Sequence, residues 1–474
     1  MIKHKKKLYG WSRSTWSNSS LYIPSNIKQL HKVIDIAKRN KNTIICRAGA
    51  RSYSDNTLNS NQFVVDITNF NKILNWDKKS GVIQLQGGVT IEQVMLMCIQ
   101  SGWIFPSMTG TRYVTIAGAL SNNIHGKNAF HRGCIGEYVN YFKIILADNS
   151  IYTCSREKNK NLFYSVISGL GLLGVIIEVE LQLIKIPSFY LTVKKQSCNN
   201  LNELFEKFSN VKNDSEYSIA WVDTLVKNTR LGRGQIHFAN FADDNDYNIT
   251  DHNIPSNLYG FFPNKWVPTF TSSLLNPKTI RIVNWLKFYS KFIDIDLKKK
   301  RMSLSNFHFI MDMKFPNYNY FFKHGFFEYQ PILPFSNCID GFEKIIKISQ
   351  KYGFYSVMSS LKAYRNQKDN FLLSFAQEGF AITMDIIKYP KRIKEQTKMF
   401  YEMNEVVLDH GGKIYFGKTP IINKTQFYKM YKNLNEFLTI KEKYDPNNLF
   451  ISNMFRRILN IKNDGSEVPS EYSY

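Results

Sequence analysis

Residues Pro106–Asn128 read PSMTGTRYVTIAGALSNNIHGKN, and this stretch decides the fold. It holds small-residue turns around Gly110 and Gly118, hydroxyls able to bond phosphate, and a cluster of His125, Gly126, Lys127 and Asn128. Small residues let backbone N–H groups approach an anion closely, and successive amides then form a nest for it. A lone histidine is ordinarily structural, but Lys127 two residues on turns the cluster toward an anion or flavin environment.

A second small-residue loop lies upstream. Arg47–Asn56, RAGARSYSDN, follows a strand-like run at Thr43–Cys46. Alone it reads as an ordinary turn as readily as a phosphate loop. Downstream, Gly169-Leu170-Gly171-Leu172-Leu173-Gly174 matches GxGxxG. A dinucleotide fingerprint needs a strand before that motif and a helix after it. Here Asn161–Ile167 has a helical pattern and Val175–Ile184 is rich in β-branched residues, so the context is inverted. That argues against a nicotinamide Rossmann site.

Between these loops helix and strand patterns alternate. Ser25 is placed to cap a helix with Ile27, Leu30, Ile34 and Ala37 on its apolar face. Strands are expected at Phe63–Ile67 and Val82–Leu85, and Thr90 with Gln93 has the form of a capping box. Lys143–Ala147 and Ile151–Thr153 flank Asp148-Asn149-Ser150 as a hairpin. Beyond about Pro187 the strands are longer: Tyr217–Asp223, Gln235–Asn240, Tyr355–Leu361 and Gly379–Ile387. Asp340 with Glu343 is read as a helix cap, and a further helix from about Arg392 to His410 stops at Gly411-Gly412. There is no internal repeat, and the fold class is α+β.

The 474 residues have a net charge of +24 and 43% apolar residues, a globular composition large enough for more than one core. So basic a chain suits an anionic partner: a nucleotide, a phosphorylated substrate, an acidic membrane or nucleic acid. No recognised RNA-binding motif is present, so nucleic acid is not expected. The six cysteines (Cys46, Cys98, Cys134, Cys154, Cys198, Cys338) are widely spaced, which argues against a disulfide framework or a metal site. No run approaches the roughly 18 apolar residues of a spanning helix, and no signal-peptide pattern follows Met1–Lys7. A cytoplasmic location is expected. The start MIKHKKK and the tail from about Asn463 read as loose ends. Between Asp251 and Asp294 there is no acidic residue, while Lys265, Lys278, Arg281, Lys287 and Lys291 alternate with aromatics such as Trp266, Trp285 and Phe288. Peripheral contact with an anionic membrane is the expectation drawn from it.

The three loop segments, in this order, resemble the FAD-binding domain of the vanillyl-alcohol-oxidase (PCMH-type) family. Within it the likeness is to the decaprenylphosphoryl-β-D-ribose 2′-oxidases. It extends from Gly10-Trp11 through Ser218–Asp223, Phe327–Gln330 and Gly411–Lys418 to Lys443–Asn447 and Phe455-Arg456-Arg457. The resemblance implies a two-part FAD-binding domain, residues 1–188 and 409–460, with an inserted α+β substrate domain at 189–408 and a flexible tail at 461–474. It implies FAD held by Gly49, Ala50, Arg51, Ser52, Tyr53, Thr111, Gly118, Asn122, His125, Asn128, Ile176, Tyr415 and Lys418. The loop position where many relatives attach FAD to histidine reads Arg51-Ser52, which implies non-covalent FAD.

The activity implied is oxidation of a secondary sugar hydroxyl by hydride transfer to flavin N5. The substrate implied is a polyprenyl-phosphate-linked pentose, and a short-chain reductase would complete an epimerisation. Lys418 is the implied catalytic group, with Tyr53 and His125 beside it. Lys127, Trp221, Glu328, Gln330, Lys362, Ala381 and Thr383 are implied in substrate contacts. The relatives carry asparagine and cysteine at the Ala381 and Thr383 positions and glutamine at Glu328, so the polar groups offered to the sugar differ. An aldonolactone or alditol oxidase using oxygen is the alternative enzyme. A basic membrane- or RNA-binding protein on a decayed flavin fold is the alternative of another class.

Overall fold

The computed structural model describes residues 2–249, 274–289, 300–313, 315 and 317–461. The tail from 462 and much of the basic aromatic segment, including Lys265, Trp266 and Lys291, lie outside the described residues.

Two larger sheets and a two-stranded one, Trp103–Ile104 with Ile184–Lys185, form the first domain among the described residues. A four-stranded sheet orders Ile2–Tyr9, Trp16–Ile23, Phe63–Asp66 and Ile44–Arg47. A five-stranded sheet orders Ile73–Asp77, Val82–Gln86, Val175–Gln182, Val139–Ile145 and Ile151–Ser155. The basic start is therefore not loose: Ile2–Tyr9 pairs antiparallel with Trp16–Ile23 from Ile2↔Ile23 to Tyr9↔Trp16. Its lysines hid a strand because an edge strand is held by backbone hydrogen bonds and tolerates charge on its side chains. Thr90 and Gln93 do form a reciprocal capping box. The first helix is capped by Asn26, which accepts from the Gln29 amide, and not by Ser25. A helix, Lys160–Val166, precedes the Gly169–Gly174 turn and the strand Val175–Gln182 follows it, the reverse of a dinucleotide motif.

The inserted region is built on a sheet of nine strands among the described residues. Its centre runs Tyr190–Cys198, Gly234–Phe241, Tyr217–Val222, Ser356–Tyr364 and Gly379–Ile387. Side chains alternate across a strand. In Gly379–Ile387, buried Phe380, Ile382, Met384 and Ile386 share one face. Helices Leu201–Asp214, Cys338–Lys351 and Ile393–Asp409 cover that side, with Phe380 packed on Phe205 and Phe208. Ala381, Thr383 and Asp385 fall on the opposite face, as does Lys362, the cross-strand partner of Ala381. Asp340 lies inside the helix that begins at Cys338 and bonds Lys344 and His410; the cap position is Asn337.

After Gly411, whose φ of +69° ends the long helix, the chain returns to the first domain. The Ile44 amide donates to Leu449 O at 2.6 Å, and Ile451 N donates back to Ile44 O at 2.9 Å. Arg457 pairs with Asp55 at 3.0 Å. Lys413–Ile414 meanwhile pairs with Pro331–Leu333 of the large sheet, so this last segment touches both regions.

Candidate active site

A cavity of about 470 Å³ lies where the small-residue loops meet the polar face of the large sheet. Gly49, Ala50, Arg51, Ser52, Tyr53, Thr111, Gly118, Asn122, His125 and Ile176 line it from the first domain. Lys362, Tyr415 and Lys418 line it from the other side. Residues far apart in sequence thus share one wall.

One end is a nest. Ala50 takes a left-handed φ of +51°, and among the described residues the amides of Ala50, Arg51 and Ser52 have no protein acceptor. Consecutive free amides around a left-handed residue form an anion-binding concavity. A Cβ on Gly49 would stand 2.5 Å from Tyr113 O, so the loop can pass there only as glycine. The Arg51 guanidinium lies 4.7 Å from the Tyr113 ring, and its buried Nε has no partner. Burial lowers the pKa of Arg51, while Asp312 opposes the shift. Asp312 accepts from Thr111 Oγ1 at 3.0 Å and from the Arg112 amide at 2.9 Å, fastening the inserted region to this loop.

The other end carries the titratable groups. Lys418 Nζ is 2.9 Å from Glu328 Oε1 and 3.8 Å from the centre of the Tyr53 ring. Glu328 also takes a hydrogen bond from Tyr53. Burial, then Glu328 and Asp385, push the Tyr53 phenol well up, so Tyr53 is a donor and not a base. Asp385 is the cross-strand partner of Glu328 and accepts from Tyr318 Oη at 3.0 Å. Burial and then the Glu328 charge raise the Asp385 carboxyl well above its usual range, so it holds its proton.

His125 sits among the rings of Tyr364, Phe375 and Tyr415. Its Nε2 is 3.0 Å from the Gln330 amide nitrogen, and its buried Nδ1 has no partner. Burial first, then Lys362 and Lys418, drive its pKa well below 6.5, so it is neutral. Lys362 has no hydrogen-bond or ion-pair partner among the described residues. Burial, then Lys418, brings its pKa down to about 8.

Other residues read as binding groups stand off the wall. Asn128 donates to Pro106 O at 2.9 Å, and Lys127 donates to Phe307 O. Trp221 lies under Lys287 at 4.4 Å. Ala381 packs with Ile332, Tyr364 and Phe375, and Thr383 bonds Ser360 Oγ at 2.7 Å. None of these side chains is among those lining the cavity. Glu328 and Gln330 likewise lie behind it, acting on Lys418 and His125.

The structure adds groups that sequence reasoning missed. Trp11 lines the cavity with its ring 4.7 Å from Tyr53, and Tyr318 and Asp312 line it too. Asp385 had a signal: it is the lone charge in the apolar strand GFAITMDII. Asp312 had a similar one, as the acid in FIMDM. Tyr318 had none.

The free amides, the glycine-only approach and the unpartnered donors fit a large anionic cofactor with a polar ring system. Residues 19–155 match the model of an FAD-binding domain, and residues 179–458 match that of D-arabinono-1,4-lactone oxidase. The chain is 27% identical over 466 residues to decaprenylphosphoryl-beta-D-ribose oxidase of Mycolicibacterium smegmatis, spanning 96% of this chain and 97% of that one. With L-gulonolactone oxidase of Mus musculus the identity is 20% over 457 residues, 94% of this chain and 97% of that one. With D-arabinono-1,4-lactone oxidase of Yarrowia lipolytica it is 26% over 216 residues, 44% and 40% of the two.

Proposed function

The chain belongs to the D-arabinono-1,4-lactone oxidase family, behind an FAD-binding domain, and from that premise we propose oxidation of a polyprenyl-phosphate-linked pentose at its 2′-hydroxyl. The coarser activity, FAD-dependent oxidation of a CH–OH group of a sugar or lactone, follows from the family. The finer reading is supported by similarity to the decaprenylphosphoryl-ribose oxidase over 96% of this chain. The observation that carries it is Lys362, a half-buried lysine on the cavity wall with no ion-pair partner at contact distance among the described residues; the Glu328 charge reaches it, but Glu328 is already paired with Lys418. A neutral lactone leaves such a cation unpaired, whereas a phosphorylated sugar supplies its partner.

FAD, when bound, would supply the hydride acceptor, its N5. The amides of Ala50, Arg51 and Ser52 would hold its diphosphate. Lys418 Nζ passes a proton to Glu328, 2.9 Å away, and takes the hydroxyl proton in its place as the carbon loses hydride, so the substrate's proton is balanced by the one that ends on Glu328. The substrate thus loses two electrons and two hydrogens and becomes a ketone. Asp385 keeps its own proton and adds no second negative charge beside Glu328. Neutral His125 offers its free nitrogen to a polar atom of cofactor or sugar.

FAD is held without a covalent bond in this reading. The Arg47–Asn56 loop has no histidine, and burial with Asp66 pushes the Cys46 thiol on the cavity wall up to about 12. A thiol at that value is no nucleophile near neutral pH. Acid precipitation should release the flavin to the supernatant; flavin that stays in the pellet contradicts non-covalent binding.

A keto sugar is a half-finished epimerisation, so a short-chain reductase is the partner proposed. Membrane contact belongs to the same reading. In the helix Pro277–Tyr289, Ile280, Asn284 and Phe288 face inward while Ile282, Val283, Trp285 and Leu286 are 53–60% exposed. No helix among the described residues is long and apolar enough to cross a membrane. An exposed apolar stripe beside Lys278 and Arg281 suits the surface of an anionic bilayer. If replacing Ile282 and Leu286 with serine leaves vesicle flotation unchanged, this contact is wrong.

The function itself is tested by incubating the holoenzyme with a polyprenyl-phosphoryl pentose and weighing the product. A product lighter by two hydrogens is expected. An aldonolactone oxidase is the second reading, favoured by the family model, and turnover of lactones alone would establish it.

A further inference from the structure

A second concavity, of about 340 Å³, shares no lining residue with the first. Lys7, Arg13, Lys323, His324 and Lys388 line it, and no acidic side chain does. It forms where the edge strand Ile2–Tyr9 and the Gly10–Ser14 turn meet the ends of two strands of the large sheet. Edge residues Lys5 and Lys6 are exposed beside it.

Collecting like charges in a hollow is unfavourable unless something neutralises them, and a concave low-dielectric wall concentrates their field. No described carboxylate pairs with Lys7, Arg13, Lys323 or His324. Aromatic rings hold two of the cations in place instead. Lys7 Nζ stands 3.9 Å from the Trp16 ring centre, and Arg13 stands 4.3 Å from that of Tyr320. Lys388 is buried and donates to Ser14 O at 2.8 Å. Arg13 takes a left-handed φ of +59°, a conformation that disfavours a side chain, so the backbone is strained at the residue that brings the guanidinium to the rim.

We propose that this hollow binds a phosphomonoester or phosphodiester group, at a site separate from the flavin cavity. Arg13 supplies the planar fork suited to phosphate oxygens, Lys7 and Lys323 supply point charges around it, and the His324 ring supplies a hydrogen-bonding nitrogen. The Gly10–Ser14 turn joins the two sites. On its other side Trp11 N donates to Ser52 O at 2.9 Å and Ser12 N to Tyr53 O at 3.2 Å. A bound phosphate therefore braces the turn against which Tyr53 is held.

The test uses the FAD-loaded protein, titrated with inorganic phosphate and pyrophosphate and, separately, floated with phosphatidylglycerol or phosphatidylcholine vesicles. Arg13→Gly with Lys323→Gln is the variant. Glycine accepts the left-handed backbone, so loss of binding cannot be put down to misfolding, and flavin content and melting temperature should be kept. Phosphate, pyrophosphate or phosphatidylglycerol should bind the parent chain and bind the variant roughly tenfold more weakly. Binding of the small anions alone makes the ligand a free phosphate compound; binding of phosphatidylglycerol alone makes it a lipid headgroup. Equal binding by parent and variant, or no preference for phosphatidylglycerol together with no phosphate binding, overturns the proposal.

Discussion

Two buried lysine–carboxylate pairs in this molecule have the same chemistry and opposite surroundings. Lys441 and Asp445, 2.8 Å apart, are 2% and 0% exposed. Lys441 also donates to Leu172 O and Phe450 O, each at 2.8 Å, so all three ammonium protons are used. Asp445 accepts from the amides of Leu449 and Phe450 at 2.7 and 2.8 Å. Lys418 and Glu328, at 2.9 Å, are 20% and 7% exposed, with Lys418 on the cavity wall and Glu328 behind it. There Lys418 has one carboxylate and the face of a tyrosine, and so keeps capacity for a further partner. A saturated pair holds a fold together, while an unsaturated one is available for chemistry. Lys441 fastens the returning segment to Leu172, inside the very turn that imitates a dinucleotide motif.

The contrast predicts opposite failures. Lys418→Ala should lower the rate of flavin reduction by about 10²–10⁴-fold and leave the urea midpoint nearly unchanged. Lys441→Met should do the reverse, costing about 3–5 kcal/mol of stability in urea denaturation while folded protein keeps its rate. If both variants lose stability equally, the distinction between the pairs fails. Glu328→Gln preserves shape but removes the charge that holds Lys418. It should raise the barrier to flavin reduction by about 1.5–3 kcal/mol, and an unchanged rate would leave Glu328 no part in proton transfer.

The smallest effect expected is on pH dependence. Lys362 is brought from 10.5 down to about 8, so it is charged below that pH and neutral above it. KM for a phosphorylated substrate should rise as pH passes about 8, and Lys362→Met should flatten that limb. Between about 8 and 10.5 the unfolded chain holds the extra proton, so the ligand-free fold should gain stability across that window. A KM that ignores pH in the parent chain would remove Lys362 from substrate binding.

Much of this was legible where the pattern is local. The Thr90–Gln93 box, the alternation in Gly379–Ile387 and the reversed context of Gly169–Gly174 all depend on neighbours within a few residues. The small-residue loops also announced the cavity, since a close approach to an anion demands them. What escaped depends on tertiary partners. The strand Ile2–Tyr9 looks like a charged tail until Trp16–Ile23 pairs with it. Thr111 meets Asp312 across 201 positions, a bond that no local pattern encodes. Asp385 matters because strand pairing sets it opposite Glu328, and Lys127 drops out of the wall because Phe307 O takes its ammonium.

In the proposed reaction a lipid-linked pentose reduces the flavin with Lys418 in the proton path. Its most direct test is anaerobic mixing of the yellow holoenzyme with polyprenyl-phosphoryl pentoses and, separately, with free aldonolactones, following the flavin absorbance. Bleaching by a polyprenyl-phosphoryl pentose is expected, and its loss in Lys418→Ala. Bleaching by lactones with none by the lipid-linked sugars, or equal bleaching in Lys418→Ala, would contradict it.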